Sequence, residues 1–276
     1  MKLSIITINY NNATGLKNTL DSVAMQTYTE FEHIIVDGAS TDGSVDIIRN
    51  YSRLPIANRH KITWVSEPDT GIYNAMNKGI VLASGEYILL LNSGDYLVEC
   101  DVIERIIPEL HTDGVIQGGM YLYSNKEECL DYGNGLTEMS FYDVVDGDFL
   151  HQADFVRKDV YERYGYYDES YKIGGDTAFF IRTLGFHDIS FRCVKIPISL
   201  FEGGGKASGK DVKWKQIQMY ESKRIEDEIL GPRLLKVYKE DRTKVRLYDM
   251  LNAHKWSQFL IKVILRLIRL FYSSRK

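Results

Sequence analysis

The fold is decided near the amino terminus, where residues 3–12 read LSIITINYNN and residues 13–27 read ATGLKNTLDSVAMQT. The apolar, β-branched run Leu3–Ile8 predicts a strand, and the polar run Asn9–Asn12 predicts the loop that closes it. The second stretch predicts a helix, because apolar side chains recur there at helical spacing, at Leu16, Leu20, Val23 and Ala24. A strand, a loop and a helix in this order open a βαβ unit.

The same alternation continues to residue 91. The spacing predicts strands over 33–36, 62–65 and 87–91, and helices over 44–51 and 72–83. Strands that alternate with helices indicate an α/β protein with a Rossmann-like, mainly parallel central sheet flanked by helices. Beyond residue 95 the pattern is looser, and it predicts strand-like pieces near 120–123 and 153–156 and helices over 157–164 and 176–184.

Polar side chains directly follow four of the predicted strands, at residues 9–12, 37–42, 67–70 and 92–95. The carboxyl ends of parallel strands lie at one edge of a sheet, so we expect the four clusters to meet there. Ligands of open α/β sheets bind outside these carboxyl ends. The sequence therefore predicts the functional site at this edge.

The composition is that of a globular protein, with 44% hydrophobic and 26% charged residues in a chain of 276. It excludes disordered, collagen-like and coiled-coil classes and predicts one large domain, or one domain with an appendage. The cysteines, Cys100, Cys129 and Cys193, form no CxxC pair, which favours a reduced, cytoplasmic protein over a disulfide framework or a zinc module. We expect no signal peptide, because the first apolar run is too short, and no simple transmembrane helix.

Charge is divided unevenly along the chain. Residues 1–205 carry a formal charge of −14 and residues 206–276 carry +10, within a net charge of −4. Residues 255–276 read KWSQFLIKVILRLIRLFYSSRK, without an acidic residue, and predict a basic amphipathic helix. Such a helix binds an anionic membrane surface, or it packs on the domain or on a second subunit. A nucleic acid is disfavoured as a partner, because no recognition module accompanies the strongly apolar face.

Two common nucleotide-binding motifs do not fit the sequence. The loop after the first strand lacks G-x-G-x-x-G, since Gly15 is its only glycine. A near match to the P-loop begins at Gly204, but Asp211 stands where the Ser or Thr that binds Mg²⁺ is needed. A Rossmann dehydrogenase and a P-loop NTPase are therefore both disfavoured.

Five short motifs within residues 1–205 together resemble the family 2 glycosyltransferases of the GT-A fold. They are SIITINYN at 4–11, VDGASTDG at 36–43, SEPD at 66–69, LNSGD at 91–95 and GGD at 174–176. The resemblance implies an inverting enzyme that moves a sugar from a nucleotide diphosphate donor, most often a UDP-sugar, to an acceptor hydroxyl with the help of Mg²⁺ or Mn²⁺. It also implies a donor-binding half over 1–98, an acceptor-side half over 99–205 and a helical extension over 206–276.

The resemblance assigns a metal ligand and a base. Asp95 corresponds to the carboxylate that holds the metal, although Asn92 and Gly94 occupy positions that are commonly acidic in the family. Asp176 corresponds to the general base that takes the proton of the acceptor hydroxyl. An aspartate at the start of a helix is also a common N-cap, so that role stays open for Asp176.

Further residues are assigned to donor and acceptor by the same resemblance. Tyr10 corresponds to the aromatic residue that stacks on the nucleotide base, and Asp37 to the carboxylate that accepts a hydrogen bond from the base or ribose. His151 corresponds to a histidine near the donor phosphates or the acceptor. The other candidates are Thr7, Asn9, Asp69, Lys78 and Ser93 on the donor side, and Gly174 and Gly175 on the acceptor side. Core, loop-forming and exposed helical roles are the structural alternatives for these residues.

The sequence as a whole predicts a cytoplasmic glycosyltransferase that lies on the inner face of the membrane through residues 255–276. The resemblance implies a glycan or lipid-linked sugar as acceptor, in the synthesis of capsule, exopolysaccharide or lipopolysaccharide, and a homo-oligomer is compatible with the sequence. Two other classes stay open. A nucleotidyltransferase would release pyrophosphate, and a noncatalytic sugar-nucleotide binding protein would suit the reduced metal motif.

Overall fold

The computed structural model describes residues 1–54, 60–124, 127–131, 144–145, 149, 151–201 and 212–252. Its amino-terminal half alternates strands and helices: β1 (Leu3–Asn9), α1 (Ala13–Ala24), β2 (Glu32–Asp37), α2 (Ser44–Tyr51), β3 (Lys61–Ser66), α3 (Ile72–Leu82) and β4 (Tyr87–Leu90). Strands β2 and β4 flank β1 in parallel, and β3 pairs in parallel with β2. The strand order therefore reverses between β1 and β4, and a crevice at such a switch point is where sheets of this kind bind ligands.

The second half of the sheet is mixed. It comprises β5 (Asp95–Leu97), α4 (Val102–Ile106) with the 3-10 turn Ile107–Glu109, β6 (Val115–Ser124), β7 (Glu127–Asp131), β8 (Asp154–Arg157), α5 (Lys158–Tyr164), α6 (Gly175–Leu184), β9 (Phe191–Phe201) and α7 (Val212–Ile225). Strand β8 pairs antiparallel with both β4 and β6, and β9 pairs parallel with β6 and antiparallel with β5. Within the described residues the sheet has nine strands in the order β3-β2-β1-β4-β8-β6-β9-β5, with β7 on β6.

The core lies on both faces of the sheet. Strands β1, β2 and β4 are buried along their whole length, which explains their nearly continuous apolar runs. Helix α3 packs closely on β1 at Gly79, where an added Cβ would lie 2.4 Å from Cγ2 of Ile6. The short distance between helix and strand therefore requires glycine at this position.

Buried polar groups join the amino ends of the strands, at the edge of the sheet opposite the switch point. Glu32, fully buried at the start of β2, accepts hydrogen bonds from the Ser4 hydroxyl at 2.7 Å and from the N–H and hydroxyl of Ser84 at 2.5 and 2.9 Å. It also pairs with Lys61 at 3.1 Å. Burial raises the pKa of Glu32, but these hydrogen bonds outweigh burial and lower it to about 2. Glu32 is thus a charged, structural carboxylate.

Two compact units divide the chain, residues 1–225 and residues 226–276. The second begins with a π-helical stretch, Glu226–Leu230, and continues as α8 (Gly231–Asn252). The predicted boundary between residues 205 and 206 precedes α7, a helix that belongs to the first unit. None of the helices in the described part of the chain combines the length and the apolar character that crossing a bilayer requires. The predicted amphipathic helix at 255–276 lies outside the described residues.

The α/β fold expected from the sequence is confirmed, and every strand and helix predicted before residue 91 is present. The predicted helix Ala13–Thr27 is shorter than expected and ends at Ala24. Among the described strands, β3, β2, β1 and β4 form the one continuous parallel series, because β8 inserts antiparallel between β4 and β6. Beyond β8, β6 and β9 are again parallel to each other. The sequence does not predict β5 or α4, which have three and five residues and are too short to show a periodic pattern.

Candidate active site

The four polar clusters that follow the parallel strands meet at the switch point. The N–H of Ser93 donates to the carbonyl of Ile8 at 3.0 Å, and that of Glu67 donates to the carbonyl of Asp37 at 3.0 Å. The N–H of Asn11 donates to the Ser40 hydroxyl at 2.9 Å. These bonds connect the loops at 9–12, 37–42, 67–70 and 92–95 into one rim, as the sequence predicts.

Asp37, the last residue of β2, is fully buried within this rim. Its carboxylate accepts four hydrogen bonds, from Asn9 Nδ2 at 2.8 Å, from the Ser66 hydroxyl at 2.7 Å, and from the N–H and hydroxyl of Ser40 at 2.9 and 2.6 Å. Burial raises the pKa of Asp37, but the bonds from Ser40, Ser66 and Asn9 outweigh it and hold the pKa below its usual value. In this structure Asp37 and Asn9 join the ends of β1, β2 and β3.

The side chains of Tyr10 and Asp69 both lie close to Gly38. A Cβ added to Gly38 would be 2.4 Å from Asp69 Oδ2 and 3.1 Å from Tyr10 Cδ2, so both side chains approach this backbone closely. The Tyr10 ring is 59% exposed, and Asp69 Oδ1 accepts the N–H of Gly71 at 3.0 Å. The pair offers a flat surface for a base and an acceptor for a base N–H or a ribose hydroxyl.

Three other donor-side candidates have their polar groups engaged within the protein. Thr7 is fully buried in β1, and its hydroxyl lies 2.9 Å from Nε2 of His33. Lys78 Nζ lies 2.8 Å from Glu67 Oε1 and donates to the Pro68 carbonyl at 2.9 Å. The Ser93 carbonyl accepts from Asn12 Nδ2 at 2.9 Å. These contacts give Thr7 and Lys78 structural roles, while Ser93 lies on the rim itself.

The loop that carries Asp95 is held by helix α1. The Thr19 hydroxyl donates to the Asp95 carbonyl at 2.7 Å and accepts the N–H of Gly94 at 3.0 Å. Gly94 has φ +106°, a conformation that favours glycine. This backbone requirement explains why no carboxylate stands at Gly94.

The metal motif offers hard oxygen ligands but little negative charge. Asp95 is 5% exposed, and Asn92 Oδ1 is buried and accepts no hydrogen bond from a described residue. No group of three His, Cys, Asp or Glu side chains converges on a metal position within the described ranges. One carboxylate with one amide oxygen suits Mg²⁺ or Mn²⁺ if phosphate oxygens and water complete the coordination.

Asp176 and His151 form an ion pair beside this loop. His151 Nδ1 lies 3.3 Å from Asp176 Oδ2, and His151 Nε2 lies 3.2 Å from Nδ2 of Asn92. Burial lowers the pKa of His151, but the hydrogen bond and charge of Asp176 outweigh burial and raise it. Burial raises the pKa of Asp176, yet His151 and the N–H of Thr177 hold it below its usual value. The Asp176 side chain remains 25% exposed, so this carboxylate is both charged and reachable.

Helix α6 begins with Asp176 in its first turn, and the N-cap is Gly174. The alternative in which Asp176 is the N-cap is therefore wrong, although its Oδ1 does accept the N–H of Thr177 at 2.8 Å. The Tyr73 ring explains Gly175, because a Cβ there would lie 2.6 Å from Cε2 of that ring. The Tyr73 hydroxyl accepts the Gly175 N–H at 2.8 Å and donates to the carbonyl of Ile173.

The sequence argument missed three residues that shape this site. Ser40 bonds Asp37, Tyr73 supports the start of α6, and Glu221 of α7 binds the backbone just before it. Tyr73 lies in the stretch EPDTGIYNAMNKG, residues 67–79. From this stretch the sequence argument selected the polar residues Asp69 and Lys78 and passed over Tyr73. Glu221 lies in a highly charged helix, and no local spacing distinguishes it from an exposed glutamate.

Comparison with known proteins gives a consistent result. The family model described as "Glycosyl transferase family 2" matches residues 4–143. An uncharacterised glycosyltransferase of Mycobacterium tuberculosis is 32% identical over 196 residues, which cover 70% of this chain and 72% of that protein. A glycosyltransferase of PGL/p-HBAD biosynthesis from Mycobacterium bovis is 33% identical over 184 residues, 65% of this chain and 68% of that protein.

Solved structures share the fold. Residues 1–349 of Staphylococcus aureus TarS, solved in complex with UDP-GlcNAc, match with a TM-score of 0.65 and 20% identity, over 84% of this chain and 67% of that one. This chain thus spans about two thirds of the TarS fragment. The mannosyltransferase PcManGT of Pyrobaculum calidifontis, solved with GDP-Man and Mn²⁺, matches with a TM-score of 0.55 and 17% identity, over 97% of this chain and 85% of that one.

Proposed function

The chain belongs to glycosyl transferase family 2, and on that premise we propose that it transfers a sugar from a nucleoside diphosphate donor to an acceptor hydroxyl, with inversion and with Asp176 as general base. Membership makes the protein a glycosyltransferase and so favours this class over the two alternatives, a nucleotidyltransferase and a noncatalytic binding protein. The observation that carries the proposal is the ion pair of Asp176 and His151 beside the loop that bears Asp95.

The proposed base has the charge and the access that the reaction needs. As the acceptor oxygen bonds to the anomeric carbon, its O–H bond breaks and Asp176 takes the proton. At the same time the bond from the anomeric carbon to the diphosphate oxygen breaks, and the diphosphate leaves on the opposite face. The lowered pKa of Asp176 keeps the carboxylate ionised at neutral pH, and His151 holds it in orientation at 3.3 Å. A positioned base contributes about 10²- to 10⁴-fold to such a step.

Tyr10 and Asp69 are the proposed nucleotide contacts. The exposed Tyr10 ring stacks on the base, while the Asp69 carboxylate, which also lies beside Gly38, accepts a hydrogen bond from the base or the ribose. Asp37 and Asn9 hydrogen-bond to each other and support the loops that carry these two contacts. Ser93 lies in the neighbouring loop, where its carbonyl accepts from Asn12. UDP is the proposed nucleotide because TarS, which shares the fold, was solved in complex with UDP and with UDP-GlcNAc.

A divalent ion is part of the proposal. Asp95 and the amide oxygen of Asn92 would hold Mg²⁺ or Mn²⁺, and the bound ion would neutralise the charge that gathers on the leaving diphosphate. The mixed oxygen set at these two residues and the Mn²⁺ in PcManGT support this assignment. The side chains of Asp95 and Asn92 would supply the ligand atoms, and their backbone carbonyls accept the Thr19 hydroxyl at 3.3 Å (Asn92) and 2.7 Å (Asp95), which fixes the loop against α1.

Replacing Asp176 with Asn tests the proposal. The amide keeps the shape of the side chain but cannot take a proton, so transfer should fall about 10²- to 10⁴-fold. Donor binding should survive, which is read as the rise in melting temperature with UDP and Mn²⁺. Asp159→Asn is the matched control, because Asp159 is also paired with a cation, Arg157, and its side chain is 27% exposed.

Two results would overturn parts of the proposal. Transfer by Asp176→Asn at the level of the unmodified enzyme would exclude Asp176 as base. A shift of melting temperature with GDP, CMP or dTDP but not with UDP would exclude the proposed nucleotide.

For the acceptor we propose a glycan or a lipid-linked sugar of the cell envelope. The naming of one relative for PGL/p-HBAD biosynthesis and the basic, apolar sequence of residues 255–276 support an acceptor presented at a membrane. The proposed place of action is the cytoplasmic face of that membrane.

A further inference from the structure

Helix α7 carries a buried carboxylate, that of Glu221, which contacts the backbone just before Asp176. Glu221 is 4% exposed, and it accepts three consecutive backbone N–H groups. Those of Lys172, Ile173 and Gly174 donate to it at 2.5, 2.9 and 2.8 Å. Successive N–H groups that point to one anion form a nest, and bonds to an ionised acceptor are among the strong hydrogen bonds of proteins.

The same short segment also hydrogen-bonds to Tyr73. The Tyr73 hydroxyl accepts the N–H of Gly175 at 2.8 Å and donates to the carbonyl of Ile173. Glu221 therefore binds the backbone of residues 172–174, and Tyr73 binds that of residues 173 and 175. Gly174, the N-cap of α6, has no capping side chain of its own, so Glu221 supplies from another helix the anion that a helix amino terminus favours.

A second residue of α7 holds the segment further upstream. Arg224 Nη1 donates to the Ser170 hydroxyl at 2.7 Å, and Nη2 lies 3.3 Å from Asp168 Oδ2. The guanidinium also lies over the ring of Tyr171, 4.2 Å from its centroid. One helical turn of α7 thus fixes residues 168–174, the approach to Asp176.

We infer that Glu221 is a positioning residue for sugar transfer, which it serves by fixing the backbone that aims Asp176 at the acceptor. The inference rests on the proposed function of Asp176. The last backbone N–H that Glu221 accepts is that of Gly174, two residues before Asp176, and Glu221 itself touches no reacting atom. Without its carboxylate three consecutive backbone N–H groups lose their acceptor, and we expect the first turn of α6 to move relative to His151. A displacement of about 1 Å in such a group costs up to about 10²-fold in rate.

Glu221→Gln removes the charge and one acceptor oxygen while keeping the size of the side chain. We expect kcat to fall at least about 10-fold, with the KM for the donor and the UDP-dependent rise in melting temperature unchanged. Glu32→Gln is the matched control, since Glu32 is an equally buried glutamate with three kinds of donor at the opposite edge of the sheet. It should lower the melting temperature and leave kcat unchanged.

A double-mutant cycle separates positioning from general weakening of the fold. If Glu221 acts through Asp176, then Glu221→Gln should cost no further activity in an Asp176→Asn background. Losses that multiply, or a loss of donor binding equal to the loss of kcat, would overturn the inference. Arg224→Gln provides a second variant should Glu221→Gln not fold, and it should lower kcat in the same way but less; an unchanged kcat there would also count against the inference.

The two proposals fail in different ways. If Asp176→Asn keeps full transfer, the proposed base is wrong whatever Glu221→Gln does. If Asp176→Asn abolishes transfer and Glu221→Gln has the kcat of the unmodified enzyme, only the inference about Glu221 is wrong.

Discussion

Asp176 and His151 shift each other's pKa in opposite directions, and this is the main chemical feature at the scale of single residues. Burial alone would raise the pKa of Asp176 and lower that of His151, whereas the 3.3 Å ion pair reverses both effects. The carboxylate is therefore kept charged by a neighbour that also limits its motion. The acid side of the pH profile should report this arrangement directly.

His151→Gln should move the acid limb of the kcat/KM profile to higher pH. The substitution removes the cationic partner, so burial then raises the pKa of Asp176, and the active carboxylate form is lost at a higher pH as the solution is acidified. The measurement is kcat/KM for transfer across the acid range. His187→Gln, at an exposed position three residues after the end of α6, is the control and should leave the profile in place. An unmoved acid limb in His151→Gln would contradict the assignment.

Helix α3 and strand β1 illustrate how elements set the geometry of the site. Their contact at Gly79 leaves no room for a Cβ beside Ile6, and the same helix presents Tyr73 to the backbone before Asp176. The depth at which α3 lies on the sheet therefore decides where Tyr73 stands.

Gly79→Ala should destabilise the protein by about 1–3 kcal/mol, the usual cost of an added methyl group in a full core. The new Cβ would lie 2.4 Å from Cγ2 of Ile6, so the helix has to move away from the strand. Urea unfolding measures the change. Val81→Ala, at a 64% exposed position of the same helix, should change stability little, and equal stability of the two variants would argue against the tight packing.

The elements that sequence predicts well are those whose pattern is local. Strand β4 and helix α3 are long or apolar enough to show their type, whereas β5 has three residues and depends on its pairing with β9 about a hundred residues later. Residues of the site follow the same rule. Asp95 and Asn92 directly follow a strand and could be found, but the approach of His151 to Asp176 and of Glu221 to Gly174 arises only from tertiary folding.

At the scale of the whole molecule, the two halves of the sheet divide the site between them. Of the candidate residues, Tyr10, Asp69 and Asn92 lie in loops that follow parallel strands, whereas Asp95, His151 and Asp176 belong to the mixed half. Charge is also divided along the chain, because residues 1–205 are acidic and residues 255–276 are basic. Residues 255–276 lie outside the described part of the chain.

Removing residues 255–276 should move the protein from the membrane fraction to the soluble fraction. The segment carries six basic and no acidic residues among many apolar ones, and each basic residue near an anionic surface contributes about 1 kcal/mol to binding. Sedimentation with vesicles of anionic and of neutral lipid measures the effect. If the full chain, with residues 255–276 present, is found in the soluble fraction and does not bind anionic vesicles, the segment packs on protein instead.

The position of β8 between β4 and β6 also has a consequence for how the chain reaches its folded state. Residues 3–90 form a nearly self-contained series of neighbouring contacts, but the free side of β4 finds its partner only when residues 154–157 arrive. Until then the strand YILL presents unpaired backbone groups on an entirely apolar ribbon, which is a template for self-association. Fragments that end before residue 157 should therefore aggregate, and the free edge of β4 has to wait for a strand made more than sixty residues later.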